Sequence, residues 1–461
     1  MASLSGGPSA PGMAPPPAHR QRSEPTGEDR PSTVLVLAGR AWIGGRLQSV
    51  EIAIGQDGRI RSVGKVRGGA PRHDVGQAVI LPAATDLHVH FREPGGPAEA
   101  ETIASGTIAA AAGGVALVGE MPNTVPAVTD PDVLREKAAR VPGRTAVDVL
   151  LYAAPTVARA RPALARVAGA FKLYMSPTTG IPAPPPRQSV PALLDDLAAR
   201  GLPLTVHAED PDRFETAGPA RSLAEWNAHR PARAESAALE LLSRAPSALR
   251  LHIAHLTSAS EIPALRAAGT SFEVTPHHLL LSTASPLGAR GKVNPPLRSE
   301  AERARLWSAF CRGEVPCVAS DHAPHPAGEK ELSFDRAPSG VPGVETLLPL
   351  LLARVRAGEL ALPTLIGAAC DRPARWFGQP IGRIAPGHRA HLLVVDFRAR
   401  APLEGRRLHS ACGWTPFEGW EAIRPREHYR DGVRIVEGGE YVGAPTGRVV
   451  RPEFALAATG P

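Results

Sequence analysis

From residue 33 the chain alternates apolar and polar positions in short runs, VLVLAGRAWI, SVEIAIG and RIRSVG, broken by Gly and Asp-Gly turns. A period of two with turn residues between runs predicts β-strands. The texture returns in HLLVVDF, GVRIVEGG and EYVG between about 383 and 444. Two β-rich flanks around a different middle predict a small β-sandwich built from both ends, 33–83 and 381–447. Between them, over 84–380, short apolar strands alternate with Ala/Leu/Arg-rich helical stretches such as VLREKAARV, LLDDLAARG and ESAALELLSRA. That alternation predicts parallel βαβ units, an α/β class, and eight of them make a (β/α)8 TIM-type barrel. The candidate strands are VILPAATDLHVH, VALVGEMPNT, VDVLLYAAPT, AFKLYMS, LPLTVHAED, LRLHIAHLTS, SFEVTPHH and VPCVASDHAPH. Each runs apolar first and turns polar at its C-terminal end, where barrel enzymes place their chemistry.

Residues 1–32 are rich in Pro, Gly and Ser with almost no large apolar side chains, so disorder is expected there. Residues 448–461 are expected to be a C-terminal tail. The net charge of +7 raises nucleic-acid binding as a hypothesis. Basic and acidic residues are interleaved, however, with no dense basic run to release counterions together, and that role is set aside. Of the 52 basic residues all but five are Arg. Cys311, Cys317, Cys370 and Cys412 form no C-x-x-C pair, as expected of buried thiols in a reducing compartment. No apolar run reaches the roughly 18–20 residues of a membrane helix, and no signal-peptide pattern opens the chain. A cytoplasmic protein without membrane contact is expected.

The stretch DLHVHFREPG, residues 86–95, carries the first chemistry. Side chains alternate across a strand, so His88 and His90 point the same way, into the barrel mouth, as two ligands of one metal must. Lys172 is a lone charge inside AFKLYMS, and lysine is rarely buried without a partner or a task. Burial lowers an amine's pKa, and a neutral amine can take up carbon dioxide to become a carbamate, a two-oxygen ligand able to bridge metals. Further strand ends supply His207 in VHAED, His255 in HIAHLTS and Asp321 in SDHAPH. Imidazoles and carboxylates suit zinc or a similar divalent ion, which makes water acidic enough to attack at neutral pH. Asp321 can serve as ligand and as proton carrier. His252, three residues before His255, is expected to turn away from the barrel interior, and His229 to lie at a helix end or loop. Of His277 and His278, one is expected to support the site from behind its ligands and the other to pack.

With those positions in hand, the sequence resembles the amidohydrolase superfamily and, within it, the dihydroorotases. The resemblance rests on an ordered set: DLHVHFREPG, ASGTIAAAAGGVALVGEMPNT, FKLYMS, VHAED, HIAHLTS, VTPHHLLL, KVNPPLR, ASDHAPH with EK soon after, and SGVPGVETLLPL. It implies that His88 and His90 bind a first metal, that carboxylated Lys172 (N6-carboxylysine) bridges, and that His207 and His255 bind a second. Asp321 is then both ligand and general acid/base, and the cofactor is zinc, one or two ions per chain with two expected. It further implies that Arg92, Asn123 and His325 grip a substrate carboxylate while Asn294 contacts a pyrimidine ring. Allantoinases resemble F-N-E-P-G at the first motif, and hydantoinases lack the Arg, so FREPG, MPNT and HAPH together favour a carboxylate-bearing ring. An allantoinase or other cyclic amidase is the alternative. A second alternative is a non-catalytic structural partner of aspartate transcarbamoylase, which would have lost metal ligands; all six are intact. Homo-oligomerisation, and association with a transcarbamoylase by an active chain, stay open. One departure is visible: relatives usually carry an Ala-Asp pair where this chain has Ala390 and His391. Trp414, Phe417 and Trp420, in SACGWTPFEGW, are expected to pack.

Overall fold

The computed structural model describes residues 33–155, 162–180, 183–215 and 218–453; the expectation of disorder over 1–32 lies outside them. Four strands open the fold: β1 (Thr33–Ile43), β2 (Arg46–Gly55), β3 (Ile60–Gly64) and β4 (Arg72–Pro82). Eight follow: β5 (Ala84–Val89), β6 (Val115–Glu120), β7 (Asp148–Ala153), β8 (Ala170–Tyr174), β9 (Leu204–His207), β10 (Leu251–Ile253), β11 (Ser271–Val274) and β12 (Cys317–Val318). The rest are β13 (Leu392–Val395), β14 (Arg400–Pro402), β15 (Glu421–Ile423), β16 (Glu427–Arg430), β17 (Val433–Glu437), β18 (Glu440–Tyr441) and β19 (Val449–Val450).

Strands β5 to β12 lie side by side in sequence order, all parallel, with helices between them. The ring closes at His322, which bridges to Val89 and accepts the His90 amide at 2.7 Å. Buried Asp86 reinforces the closure: its Oδ1 accepts the amides of Ser320 (3.0 Å) and His88 (3.2 Å). Strands covered on both faces must be apolar throughout, and residues of β5 to β9 are buried at every position. This is the (β/α)8 barrel that the alternation predicts.

The flanks join through one continuous hydrogen-bonded strand order, β18-β17-β16-β13-β4-β1-β2-β3, and share a core that includes Leu37, Ile52, Ile80, Leu392 and Val394. The splice is β13 against β4, antiparallel, from Val395 opposite Val79 to Leu392 opposite Pro82. Residues 449–450, beyond the sheet limit expected at 447, form β19 and pair with β7 of the barrel. The two parts are locked by buried charge at the start of β7. Asp148 pairs with Arg389 and Arg430, and Asp431 takes Arg389 at 2.6 Å and His391 at 3.2 Å. Burial pushes the Asp148 carboxyl upward, but Arg430 and Arg389 outweigh it and hold it below the usual range.

Candidate active site

The FREPG motif is built residue by residue around the end of β5. Glu93 accepts the Ile103 amide (2.9 Å) at the start of helix Ile103–Ala112 and pairs with Arg144 at 2.8 Å, so its task is to seat that helix. Gly95 has φ of 86°, and a Cβ there would meet Val125 O at 2.2 Å; no other residue fits the turn. Arg92, just before Glu93, also has a left-handed backbone, φ 56°, as do His255 (38°) and Asp321 (46°). Such a conformation costs a non-Gly residue on the order of 1–3 kcal/mol and persists where the surroundings impose it. Here it marks three strand ends that all turn into one cavity.

That cavity is lined by every site residue expected from the sequence except His325. His88 Nε2 lies 3.1 Å from His90 Nε2 and 3.3 Å from Asp321 Oδ1, and His90 Nε2 lies 3.1 Å from the same oxygen. Lys172 Nζ is 3.3 Å from His88 Nε2. His207 Nδ1 faces His255 Nε2 at 2.9 Å. The donor atoms of His88, His255 and Asp321 fall within 4.8 Å of one another. Three of these imidazoles are set by a partner on the other side of the ring. Glu273 holds His88 Nδ1 at 2.7 Å, Asn123 Oδ1 holds His90 Nδ1 at 2.5 Å, and Glu209 holds His207 Nε2 at 2.7 Å. A carboxylate or amide behind an imidazole fixes its tautomer and leaves the inner lone pair free for a cation. Burial pushes His88, His207 and His255 below the usual imidazole range, keeping them neutral, as ligands must be.

Lys172 is fully buried with no carboxylate in salt-bridge distance among the described residues, and burial pushes its amine down to about 8. Burial would raise the Asp321 carboxyl, but His90, His277 and Lys172 outweigh it and hold it below the ordinary range. Arg92 is also buried; it donates to Pro324 O and, at 3.2 Å, to His325 Nε2, while its Nε has no partner. His325 therefore stands behind Arg92, outside the cavity wall. Its Nδ1 is 3.1 Å from Glu329 Oε2, consistent with a neutral ring whose Nε2 accepts from the guanidinium. Asn123 uses its other end on Thr179 O (3.0 Å), and Asn294 Oδ1 accepts from Trp226 Nε1 (3.2 Å).

One expectation is corrected. His252 does not turn away: it is fully buried, with Nε2 3.0 Å from Glu273 Oε2, the carboxylate that also holds His88. Strand β10 ends at Ile253 and the backbone at His255 is left-handed, so counting parity from His255 back to His252 fails. His278 bonds Thr275 Oγ1 (2.8 Å) and Pro295 O (3.0 Å), and neither it nor His277 lines the cavity. His229 ends helix Leu223–His229. Phe417 and Trp414 pack in a buried cluster with Trp420 against it, although Trp414 Nε1 also holds His325 O at 2.8 Å. Cys317, Cys370 and Cys412 are buried, and all four cysteines are free thiols. Sequence reading passed over Glu273, Glu209 and Tyr174. The lone charge in SFEV is the same signal that singled out Lys172, and Tyr174 lies in the cavity wall with an unpartnered hydroxyl.

A family description, Dihydro-orotase-like, matches residues 77–177. The dihydroorotase of Halobacterium salinarum is 39% identical over 386 residues, covering 81% of this chain and 89% of that protein. The chain belongs to the dihydroorotase family. A second member, from Methanosarcina acetivorans, is 36% identical and covers 84% of this chain and 88% of its own. Among solved structures the L-hydantoinase of Arthrobacter aurescens superposes with a TM-score of 0.84 at 25% identity, over 91% of this chain and all of that one. As a dihydroorotase-family protein the chain is a metal-dependent hydrolase of cyclic amides, and its donor set fits that chemistry. The buried nitrogens meet at 2.9 and 3.1 Å; the outer faces of His88, His90 and His207 are satisfied, while buried His255 Nδ1 has no partner. Among the described residues no helix is long and apolar enough to cross a membrane.

Proposed function

We propose that this enzyme interconverts N-carbamoyl-L-aspartate and L-dihydroorotate, closing and opening the ring in pyrimidine synthesis. The observation that carries the reading is Arg92: a buried guanidinium on the cavity wall with no carboxylate in salt-bridge distance among the described residues. An unpaired buried cation is costly, and a substrate carboxylate would meet it with a bidentate, charge-assisted pair. Rings without that group, such as hydantoin, dihydrouracil or allantoin, offer it nothing.

His88, His90 and Asp321 would hold one zinc ion and His207 and His255 a second, with Lys172, as its carbamate, between them. When bound, the metal supplies Lewis acidity at the ring carbonyl and makes water acidic enough to attack near neutral pH. The buried, unneutralised Lys172 suits carbamate formation, since the neutral amine is the species that adds carbon dioxide. Glu273, Asn123 and Glu209 hold the imidazoles in register before substrate arrives, so little reorganisation remains. Asp321 takes the proton from the attacking water and passes it to the departing ring nitrogen; ring closure starts from protonated Asp321. Arg92 fixes the carboxylate end, and Asn294 faces the ring.

The experiment is a side-by-side assay of zinc-replete protein on L-dihydroorotate, allantoin and dihydrouracil, with metal counted on the same sample. Strong preference for dihydroorotate with one or two metals per chain is expected. Preference for a ring lacking the carboxylate would overturn the substrate, and inactive, metal-free protein would favour the structural-partner alternative.

A further inference from the structure

Four of the five lysines, Lys137, Lys172, Lys292 and Lys330, are buried in a chain that otherwise uses Arg. Lys137 pairs with Glu120 at 2.9 Å, and Lys172 belongs to the site. Lys292 and Lys330 have no carboxylate in salt-bridge distance among the described residues and are ringed by main-chain oxygens instead. Lys292 Nζ donates to the carbonyls of Phe334 (2.8 Å), Asp335 (3.3 Å) and Ala337 (2.9 Å). Lys330 Nζ donates to Lys292 O (3.2 Å) and Pro338 O (2.7 Å), and Lys292 O also accepts the Gly340 amide at 2.9 Å. An ammonium offers three donors around one point, whereas the planar fork of Arg cannot serve carbonyls so arranged.

These bonds tie both sides of the cavity rim to one residue. Val293 and Asn294 follow Lys292 directly, and Ser339 and Gly340, at the far end of the tied segment, line the same cavity. Gly340 sits against the barrel, where a Cβ would meet Ala323 O at 2.4 Å. At the near end, His325 contacts Arg92 and is held from behind by Trp414. Lys330 is the Lys of the EK pair that follows ASDHAPH, a motif to which the reaction itself assigns no task.

We propose that Lys330 and Lys292 are positioning residues for the substrate carboxylate: by clasping 326–340 to the main chain beside Asn294, they set His325 against Arg92 and so aim the guanidinium. This rests on the dihydroorotase reading and deepens it. Neither lysine touches substrate; both act through the loop.

The test compares the full, zinc-replete wild-type chain with Lys330→Met, Lys292→Met and Lys330→Arg. Methionine keeps much of the length and removes the donors. Expected are a rise in KM for dihydroorotate of about tenfold, kcat within about twofold, unchanged metal content and faster amide hydrogen exchange over 326–340. Lys330→Arg should not restore KM, because its fork does not match the carbonyl cage. An unchanged KM overturns the proposal, and so does joint loss of kcat, KM and metal, which would mark a merely structural role. If Lys330→Met fails to fold, Lys330→Gln carries the same comparison. Should wild type not hydrolyse dihydroorotate, the functional reading falls by itself. The clasp is then judged on exchange: faster exchange in the variants supports it, and equal exchange sinks it.

Discussion

Lys172 and Arg92 are both buried with no carboxylate in salt-bridge distance among the described residues, and on the proposed reading each awaits a group from outside. For Lys172 the proposed arriving group is carbon dioxide. Lys172→Ala is expected to lose metal and activity together, with partial rescue by a small added carboxylic acid; metal analysis and rate measured with and without the acid check it. For Arg92 it is a carboxylate, and Arg92→Ala should raise KM for dihydroorotate about tenfold or more, the loss of a charge-assisted pair costing roughly 1.5–3 kcal/mol. Asp321, held below the ordinary carboxylate range, would, as the proposed proton carrier, be ionised for hydrolysis and protonated for ring closure. Hydrolysis should therefore rise with pH and cyclisation fall through one shared apparent pKa; pH–rate profiles flat in both directions would remove Asp321 as proton carrier. At this scale the residues that line the cavity were legible because polar residues at apolar strand ends stand out. His252 misled because left-handed backbone at His255 leaves no trace in periodicity, and the place of His325 behind Arg92 depends on a loop fold that spacing does not encode.

Among elements, strand order around the barrel followed from alternation alone, since consecutive parallel units pack side by side. What could not be read was pairing at long range: β13 beside β4, β19 beside β7, and the charge cluster where sheet meets barrel. His391, the departure from the family's Ala-Asp pattern, lies in that cluster, 3.2 Å from Asp431. Asp148 anchors it, and Asp148→Asn would leave Arg389 and Arg430 short of charge in a buried setting, costing about 3 kcal/mol. Because the folded carboxyl titrates below its unfolded value, its contribution is complete above the unfolded pKa of about 3.9 and is lost as pH falls towards the folded one. Thermal melts of wild type and variant should thus differ most near neutrality and converge below about pH 4; a constant gap would count against the ionic account.

At the scale of the whole molecule, the metal is expected to act as a folding ligand as well as a catalyst, since the proposed ligands form a constellation drawn from five strands that the unfolded chain lacks. Stripping with a chelator should abolish hydrolysis and lower the melting temperature, and zinc should restore both; calorimetry beside the activity assay checks it. The sheet holds a different consequence. Strand β4 ends in Val79, Ile80, Leu81 and Pro82, and the partner that covers them, β13, is made roughly three hundred residues later. At the ribosome's pace of about 5–20 residues per second, that sticky edge waits on the order of half a minute. Birth of this protein is therefore a race between the last strands and any stranger that meets the open edge first, and a chain cut short before residue 392 would be expected to clump rather than to survive as a lone barrel.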